Sequence, residues 1–178
     1  MTGEVIKVYY TANTNTKYYV EHYKQNILDN GYTIFDTEEL EGTTDTVTEI
    51  EPKVLEGFTA KEIQQGYIDG TGTTIIFVYY DRNVYSLTYK IDGVVDEEPE
   101  EYRFEESIAP RRNPEKVGYR FSGWSEVPET MPAENVTVTA QWTINQYTIS
   151  FVDTGDNAIE AITQDYASDV TAPADPVK

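Results

Sequence analysis

The chain repeats itself at a spacing of 62 residues. Tyr85-Ser86-Leu87-Thr88-Tyr89 returns as Tyr147-Thr148-Ile149-Ser150-Phe151. The same offset carries Tyr80 onto Trp142, Asn83 onto Asn145, Phe104 onto Tyr166, Ile108 onto Val170, Pro114 onto Pro176 and Lys116 onto Lys178 without a gap. A long, regular period marks a tandem array, in which each unit leans on its neighbours. Units of this size bury only a small core, so tight β pairing has to support them. A second echo lies upstream: Val5-Ile6-Lys7-Val8-Tyr9-Tyr10 matches Ile75-Ile76-Phe77-Val78-Tyr79-Tyr80, with Tyr10 seventy residues before Tyr80. The phasing therefore divides the chain into four parts. Residues 1–16 are the closing strand of a preceding repeat plus a linker, 17–83 and 84–144 are whole repeats, and 145–178 is the first half of another. The chain reads as a piece of a longer array. Its continuation past Lys178 is expected to supply a Gly-Tyr-x-Phe-x-Gly-Trp-like segment and a closing strand.

Strand signals dominate. Fifteen tyrosines, with abundant Thr, Val and Ile, suit half-buried pleated surfaces. Tyr18–Gln25 and Tyr32–Thr37 read as hairpin partners around Asp29-Asn30-Gly31, where Asn-Gly supplies positive φ. Thr46–Ile50 is short and extended, and Thr73–Tyr80 is a central strand. Thr59–Gln65 suits one or two helical turns, with Thr59 as N-cap, Glu62 at N3 and Gly66 as the stop. In the next repeat Tyr85–Ile91 pairs with Glu101–Glu105, residues 108–116 are irregular, Tyr119–Trp124 is a short strand or turn, and Asn135–Trp142 closes the unit. Trp124 and Trp142 are expected to cap its small core.

Charge and composition exclude several classes of function. The formal net charge is −19, spread along the chain. Such a surface repels nucleic-acid backbones and anionic membranes. The absence of cysteine removes disulfides, thiolate metal sites and cysteine nucleophiles. No signal peptide opens the chain and no apolar run reaches membrane-spanning length. Either the protein stays inside the cell or this is an internal piece of an exported one, and the repeat phasing favours the second.

Chemistry is sparse. His22 is the only histidine and sits in an alternating strand, where packing explains it better than catalysis. The carboxylate pairs Glu38-Glu39, Glu97-Glu98 and Glu105-Glu106 have no pocket signal around them and read as solvated charge. Asp153-Thr154-Gly155-Asp156-Asn157 has the oxygen ligands for Ca²⁺ but also the composition of a hairpin turn, which is the preferred reading. Gly70-Thr71-Gly72 lacks the lysine and helix of a phosphate loop and reads as a turn. Lys90 with Asn135 or Asn145 is a conceivable but disfavoured isopeptide pair. Tyr18-Tyr19 and Tyr79-Tyr80 each put one ring on either face of a strand, so some rings must be exposed or lie at junctions. No catalytic, cofactor or metal residues are assigned, and the chain is not expected to be an enzyme.

Tyr85–Tyr89, Gly118-Tyr119-Arg120-Phe121-Ser122-Gly123-Trp124 and Val136–Trp142 resemble the Listeria–Bacteroides (internalin B-type B) repeat over residues 84–144 and, in part, 146–178. The acidic insert Val94–Glu100 departs from it, since a Gly- or Asn-rich turn is usual there. Tyr19-Val20-Glu21-His22-Tyr23, Gly57-Phe58-Thr59 and Val78–Asn83 resemble the mucin-binding-protein-like repeats that accompany it. Both resemblances imply β-grasp, ubiquitin-like folds in surface proteins of Gram-positive bacteria. The expected fold is therefore mostly β (α+β), an extended rod of small tandem domains. The expected role is a non-enzymatic extracellular stalk that projects a distal domain, with neighbouring repeats as partners. The alternative is an adhesion module that binds host glycan or protein through exposed aromatics, with head-to-tail strand donation as a further expectation.

Overall fold

The computed structural model describes residues 6–109, 111–152 and 158–171. Regular structure among the described residues is all β, with no helix. The chain divides into two compact units. One comprises Met1–Tyr85, Glu101–Ser107 and Thr130–Glu134; the other comprises Ser86–Glu100, Ile108–Glu129 and Asn135–Lys178.

In the first unit β1 (Thr16–Gln25), β2 (Tyr32–Gly42), β3 (Phe58–Ala60) and β4 (Ile75–Arg82) form a sheet in the order β2-β1-β4-β3. β1 and β2 are an antiparallel hairpin. A turn at Asp29-Asn30-Gly31 closes it, but neither Asn30 nor Gly31 takes the positive φ expected there. Side-chain and backbone bonds hold it instead: the Asn26 N–H donates to the Gly31 carbonyl at 2.9 Å, and the Asp29 carboxylate takes the Gly31 N–H at 2.6 Å. β4 lies parallel to β1, with Val20 beside Ile76 and His22 beside Val78. Strict alternation then turns Tyr18, Val20, Ile76, Val78 and Tyr80 into one core with Ile68, and Leu40, Leu55 and Phe58 pack against it.

The helical turn expected at Thr59–Gln65 does not form, and the α part of the α+β expectation goes with it. Phe58–Ala60 pairs with β4, and the Lys61 N–H donates to the Tyr79 carbonyl at 2.8 Å. Gln65 turns its amide onto Ile50, accepting the Ile50 N–H at 3.0 Å and donating to the Ile50 carbonyl at 2.9 Å. Backbone groups that a helix would satisfy internally are satisfied across the loop instead, so tertiary pairing overrides a weak local preference. Residues 6–11 also depart from expectation. They pair with no strand among the described residues, and Ile6, Val8 and Tyr10 are 84%, 64% and 90% exposed.

The second sheet repeats the plan. β5 (Val84–Ile91), β6 (Val94–Val95), β7 (Glu100–Arg103), β8 (Tyr119–Trp124) and β9 (Val136–Ile144) run β6-β5-β9-β8, with β7 also on β5. β5 and β9 are parallel, with Leu87 beside Val136 and Tyr89 beside Val138. Leu87, Tyr89 and Val138 are buried, and Trp124 packs edge-on against Tyr89 (4.8 Å) and Phe121 (5.4 Å). β10 (Gln146–Val152) and β11 (Ala158–Asp165) form a two-stranded sheet.

The correspondence reaches individual hydrogen bonds. Tight turns at Thr43–Thr46, Arg103–Glu106 and Asp165–Ser168 each close with a backbone bond. Each carries a non-glycine residue at positive φ in the same place: Asp45 (64°), Glu105 (64°) and Ala167 (59°). The Asp45 N–H then donates to Ile68 at 2.9 Å, as the Glu105 N–H does to Met131 at 2.8 Å. The Ile68 N–H returns to Thr46 and that of Met131 to Glu106.

Candidate functional site

β4 passes into β5 through one residue, Asn83, and β9 passes into β10 through one residue, Asn145. A single-residue link leaves little slack, and the backbone around it is bonded on both sides. The Asn83 N–H donates to the Gly57 carbonyl at 2.9 Å, and its carbonyl accepts the Phe104 N–H at 2.9 Å. The Asn145 N–H donates to Gly118 at 2.9 Å, and its carbonyl accepts the Tyr166 N–H at 2.8 Å. The second half recurs at Asn13, whose carbonyl accepts the Thr44 N–H at 2.8 Å. The first joint lies wholly in the first unit and the Asn145 joint wholly in the second.

Glycine is required where the aromatic ring meets the chain. Gly57 and Gly118 have φ of +73° and +80°, and an added Cβ would fall 2.2 Å from the Phe104 ring and 1.9 Å from the Tyr166 ring. Phe58 meets Phe104 edge-on at 5.7 Å, and Tyr119 meets Tyr166 at 6.4 Å. Arg82 reinforces the first joint. It donates to the Gln25 and Phe104 carbonyls at 2.8 and 2.9 Å, pairs with Glu105 at 2.6 Å and lies over the Phe58 ring. Ile144 holds the corresponding place in the second joint. Such a joint fixes the backbone on either side of the asparagine by hydrogen bonds and ring packing.

A second feature lies on the outward face of the first sheet. Tyr18 and Tyr80 are buried, while Tyr19 and Tyr79 face outward, as the double-tyrosine pattern implies. Tyr79 stacks on Tyr23 at 5.2 Å and meets Tyr32 edge-on at 5.0 Å, and Phe77 lies 6.2 Å from Tyr23. Ile34, Ile75 and Phe77 are between 41% and 46% exposed beside them. The hydrogen bond from the Tyr23 hydroxyl to Glu21 pushes the Tyr23 pKa up to about 12.

The remaining candidates have structural partners. His22 is buried, with Nδ1 2.9 Å from the Tyr80 hydroxyl and Nε2 3.6 Å from Glu38. Lys53 pairs with both Asp36 and Glu38, and Lys17 with Glu39. Arg111 gathers the acidic insert: it reaches Glu100 at 2.5 Å, the Asp96 carbonyl at 2.8 Å and the Glu98 carbonyl at 3.2 Å, and stacks over Tyr89. Gly70-Thr71-Gly72 is a turn closed on Asp69. Asn135 accepts the Ser86 N–H, and among the described residues no hydrogen bond joins Lys90 to Asn135 or Asn145. Asp153–Asn157 lies outside the described residues. Among those described, no group of three or more carboxylate or imidazole side chains is arranged to hold a metal.

The joint ends where a known module ends. Residues 85–145 match the family model of the Listeria-Bacteroides repeat domain. The matched segment runs from β5 to β9 and ends on Asn145. Two similar proteins come from Evansella cellulosilytica. One, named "Putative Gly-rich membrane protein", is 28% identical over 118 residues, which is 61% of this chain and 14% of that protein. The other, named "Putative membrane protein", is 30% identical over 117 residues, 61% of this chain and 18% of its own length. The chain therefore spans less than a fifth of either relative. No helix among the described residues is long and apolar enough to cross a membrane.

The joint was half legible in the sequence. The 62-residue offset pairs Asn83 with Asn145, and the 70-residue offset that pairs Tyr10 with Tyr80 also pairs Asn13 with Asn83. The two glycines stand 61 apart and fall out of an ungapped comparison.

Proposed function

We propose that this chain is a spacer segment of a bacterial cell-surface protein, in which β-grasp-like repeats joined in series hold a distal domain away from the cell. Residues 17–83 act as one repeat, of the mucin-binding-protein-like kind, and 84–144 as the next. The observation that carries this reading is the asparagine joint, built twice in full and once in half with the same bonds. A chain selected for reach needs its links fixed, and it needs no pocket. The names of the two relatives support a place at the cell envelope. The central parallel pair flanked by antiparallel strands supports the β-grasp-like reading.

The test exploits the lack of cysteine. Spin labels at cysteines replacing the exposed Glu62 and Glu126 give a distance distribution across the first joint. A narrow distribution, broadened when a short Gly/Ser stretch is inserted after Asn83, is the expected result. A native distribution as broad as that of the insertion variant overturns the spacer reading.

The aromatic face of the first sheet supports a second reading, adhesion to a glycan or protein. Exposed apolar patches of this kind mark interaction surfaces more often than chance. A glycan array with saturable binding that is lost in Tyr79→Ala favours it; no binding leaves the face to packing.

A further inference from the structure

In both whole repeats the first and last strands are parallel neighbours at the centre of the sheet. β1 opens the first repeat and β4 closes it, and the two pair from Tyr19 beside Ile75 to Lys24 beside Tyr80. β5 opens the second and β9 closes it, paired from Leu87 beside Val136 to Lys90 beside Thr139. The chain therefore enters each repeat at the foot of one central strand and leaves it from the head of its neighbour. Tension along the chain pulls the two strands in opposite directions, parallel to their own axes. Bonds in a parallel ladder are evenly spaced, so such a pull strains them together, whereas a pull on the same end of both strands opens them one after another.

Sliding is opposed by more than the ladder. Val20, Ile76 and Val78 are buried in the first repeat, and Leu87, Tyr89 and Val138 in the second, so displaced strands must drag side chains through a close-packed interior. Each pair also carries a side-chain clamp at a loaded end. Where tension leaves the first repeat, the Arg82 N–H donates to Gln25 Oε1 at 3.0 Å, and Arg82 Nε donates to the Gln25 carbonyl at 2.8 Å. These bonds extend the pair past Lys24 and Tyr80. The Arg82 side chain is only 10% exposed, which limits competition from water for them. Where tension enters the second repeat, Asn135 Oδ1 accepts the Ser86 N–H at 2.9 Å, one step before Leu87 meets Val136.

We propose that the two whole repeats are load-bearing elements, each resisting a pull along the chain by shear between its two parallel central strands. This role, carrying force rather than only setting a distance, rests on the spacer reading, because repeats joined in series are loaded end to end. The first repeat is the stronger of the two. Its central ladder joins six residue pairs against four, and Ile144 stands where Arg82 would clamp the second. Under rising force the second repeat gives way first. Forced unfolding follows the unfolding rate rather than equilibrium stability, so the direction of the pull matters as much as the depth of the core.

Single-molecule pulling on the full 178-residue chain tests it, with cysteines as handles in a sequence that has none of its own. Cysteines replacing the exposed Thr14 and Val84 load β1 and β4 at opposite ends; cysteines replacing the exposed Leu28 and Val84 load them at the same end. The substituted side chains lie on the surface, so the two variants share one fold and differ in the direction of force. The first pair is expected to rupture at a force at least about twice that of the second at equal pulling rate. Equal forces overturn the proposal. Handles at Thr14 and Gln146 load both repeats in series, and two steps are expected. A Gly/Ser stretch inserted after Gly93 should lengthen the lower-force step; a lower-force step that the insertion leaves unchanged overturns the ranking and the part given to Arg82. A broad spin-label distribution across Asn83 would sink the spacer reading while leaving the dependence on direction intact, so the two failures are told apart.

Discussion

A methyl group added at Gly57 would point into the ring of Phe104, and one at Gly118 into the ring of Tyr166. Gly93 also has positive φ, +83°, but an added Cβ there meets nothing within 4 Å. The three glycines therefore separate backbone strain from steric collision. Gly93→Ala is expected to cost about 1 kcal/mol, the strain alone, and Gly57→Ala and Gly118→Ala about 2–4 kcal/mol, because the ring must also move. Urea unfolding of the three variants decides this, and equal costs would remove the collision from the account. His22 gives a second prediction. The Tyr80 hydroxyl accepts the Lys53 N–H at 2.9 Å and lies 2.9 Å from His22 Nδ1, while His22 Nε2 lies 3.6 Å from Glu38. Burial, and secondarily the Lys53 charge, hold its pKa below the ordinary 6.5, against the opposing pull of Glu38 and Asp36. The unfolded chain therefore binds this proton more readily than the folded one. Stability from His22 is complete above about pH 6.5 and declines as pH falls below it toward the folded pKa. Asp36 and Glu39, held low by Lys53 and Lys17, lose their contributions only further down, as pH drops below the normal carboxylate range. Melting temperature should fall between about pH 7 and pH 5.5 in the native chain and stay level in His22→Gln.

Trp124, at the end of β8, is wedged between Tyr89 and Phe121, and Phe121 also meets Trp142 on β9 at 5.6 Å. Trp124→Ala removes a large, partly buried aromatic ring that packs against the small core. It should cost roughly 3 kcal/mol or more, while the β1–β4 core keeps its own melting transition. An unchanged second transition in calorimetry would contradict that assignment. These strands were legible because alternation is a strong signal: β1, β4, β5 and β9 lie within a few residues of where Tyr, Val and Ile alternate. The segment around Thr59 was misread because its N-cap pattern is local, whereas the Gln65 amide that replaces a helix acts on Ile50, fifteen residues away. The hairpin turn at Asp92-Gly93, with φ of 50° and 83°, and its short β6 were missed because Val94–Glu100 stood out only as an acidic insert. Arg111, which organises that run, is distant in sequence and gives no periodic signal. The aromatic pattern showed that one ring of Tyr79-Tyr80 would face outward but not which, nor that Tyr23 and Tyr32 would meet it, which depends on strand register.

At the scale of the whole chain, 32 acidic residues face 13 basic ones. Two effects of salt oppose each other. Screening weakens surface ion pairs such as Lys17–Glu39 and Lys116–Asp92, each with at least one half-exposed partner and each therefore a small contributor. Screening also relieves repulsion among the excess carboxylates, which is long-ranged and acts over the whole surface. With so large an imbalance the second effect should win, so melting temperature is expected to rise as NaCl goes from about 0.01 M to about 0.15 M, where the Debye length shortens from roughly 30 to 8 Å. A fall would mean that the ion pairs matter more than the net charge. The same titration distinguishes screening from site binding. If Asp153–Asn157 serves only as a turn, CaCl₂ at micromolar levels, too dilute to screen, should leave the melt unchanged. A saturable rise at those levels, lost in Asp153→Asn, would instead identify that segment as a calcium ligand set.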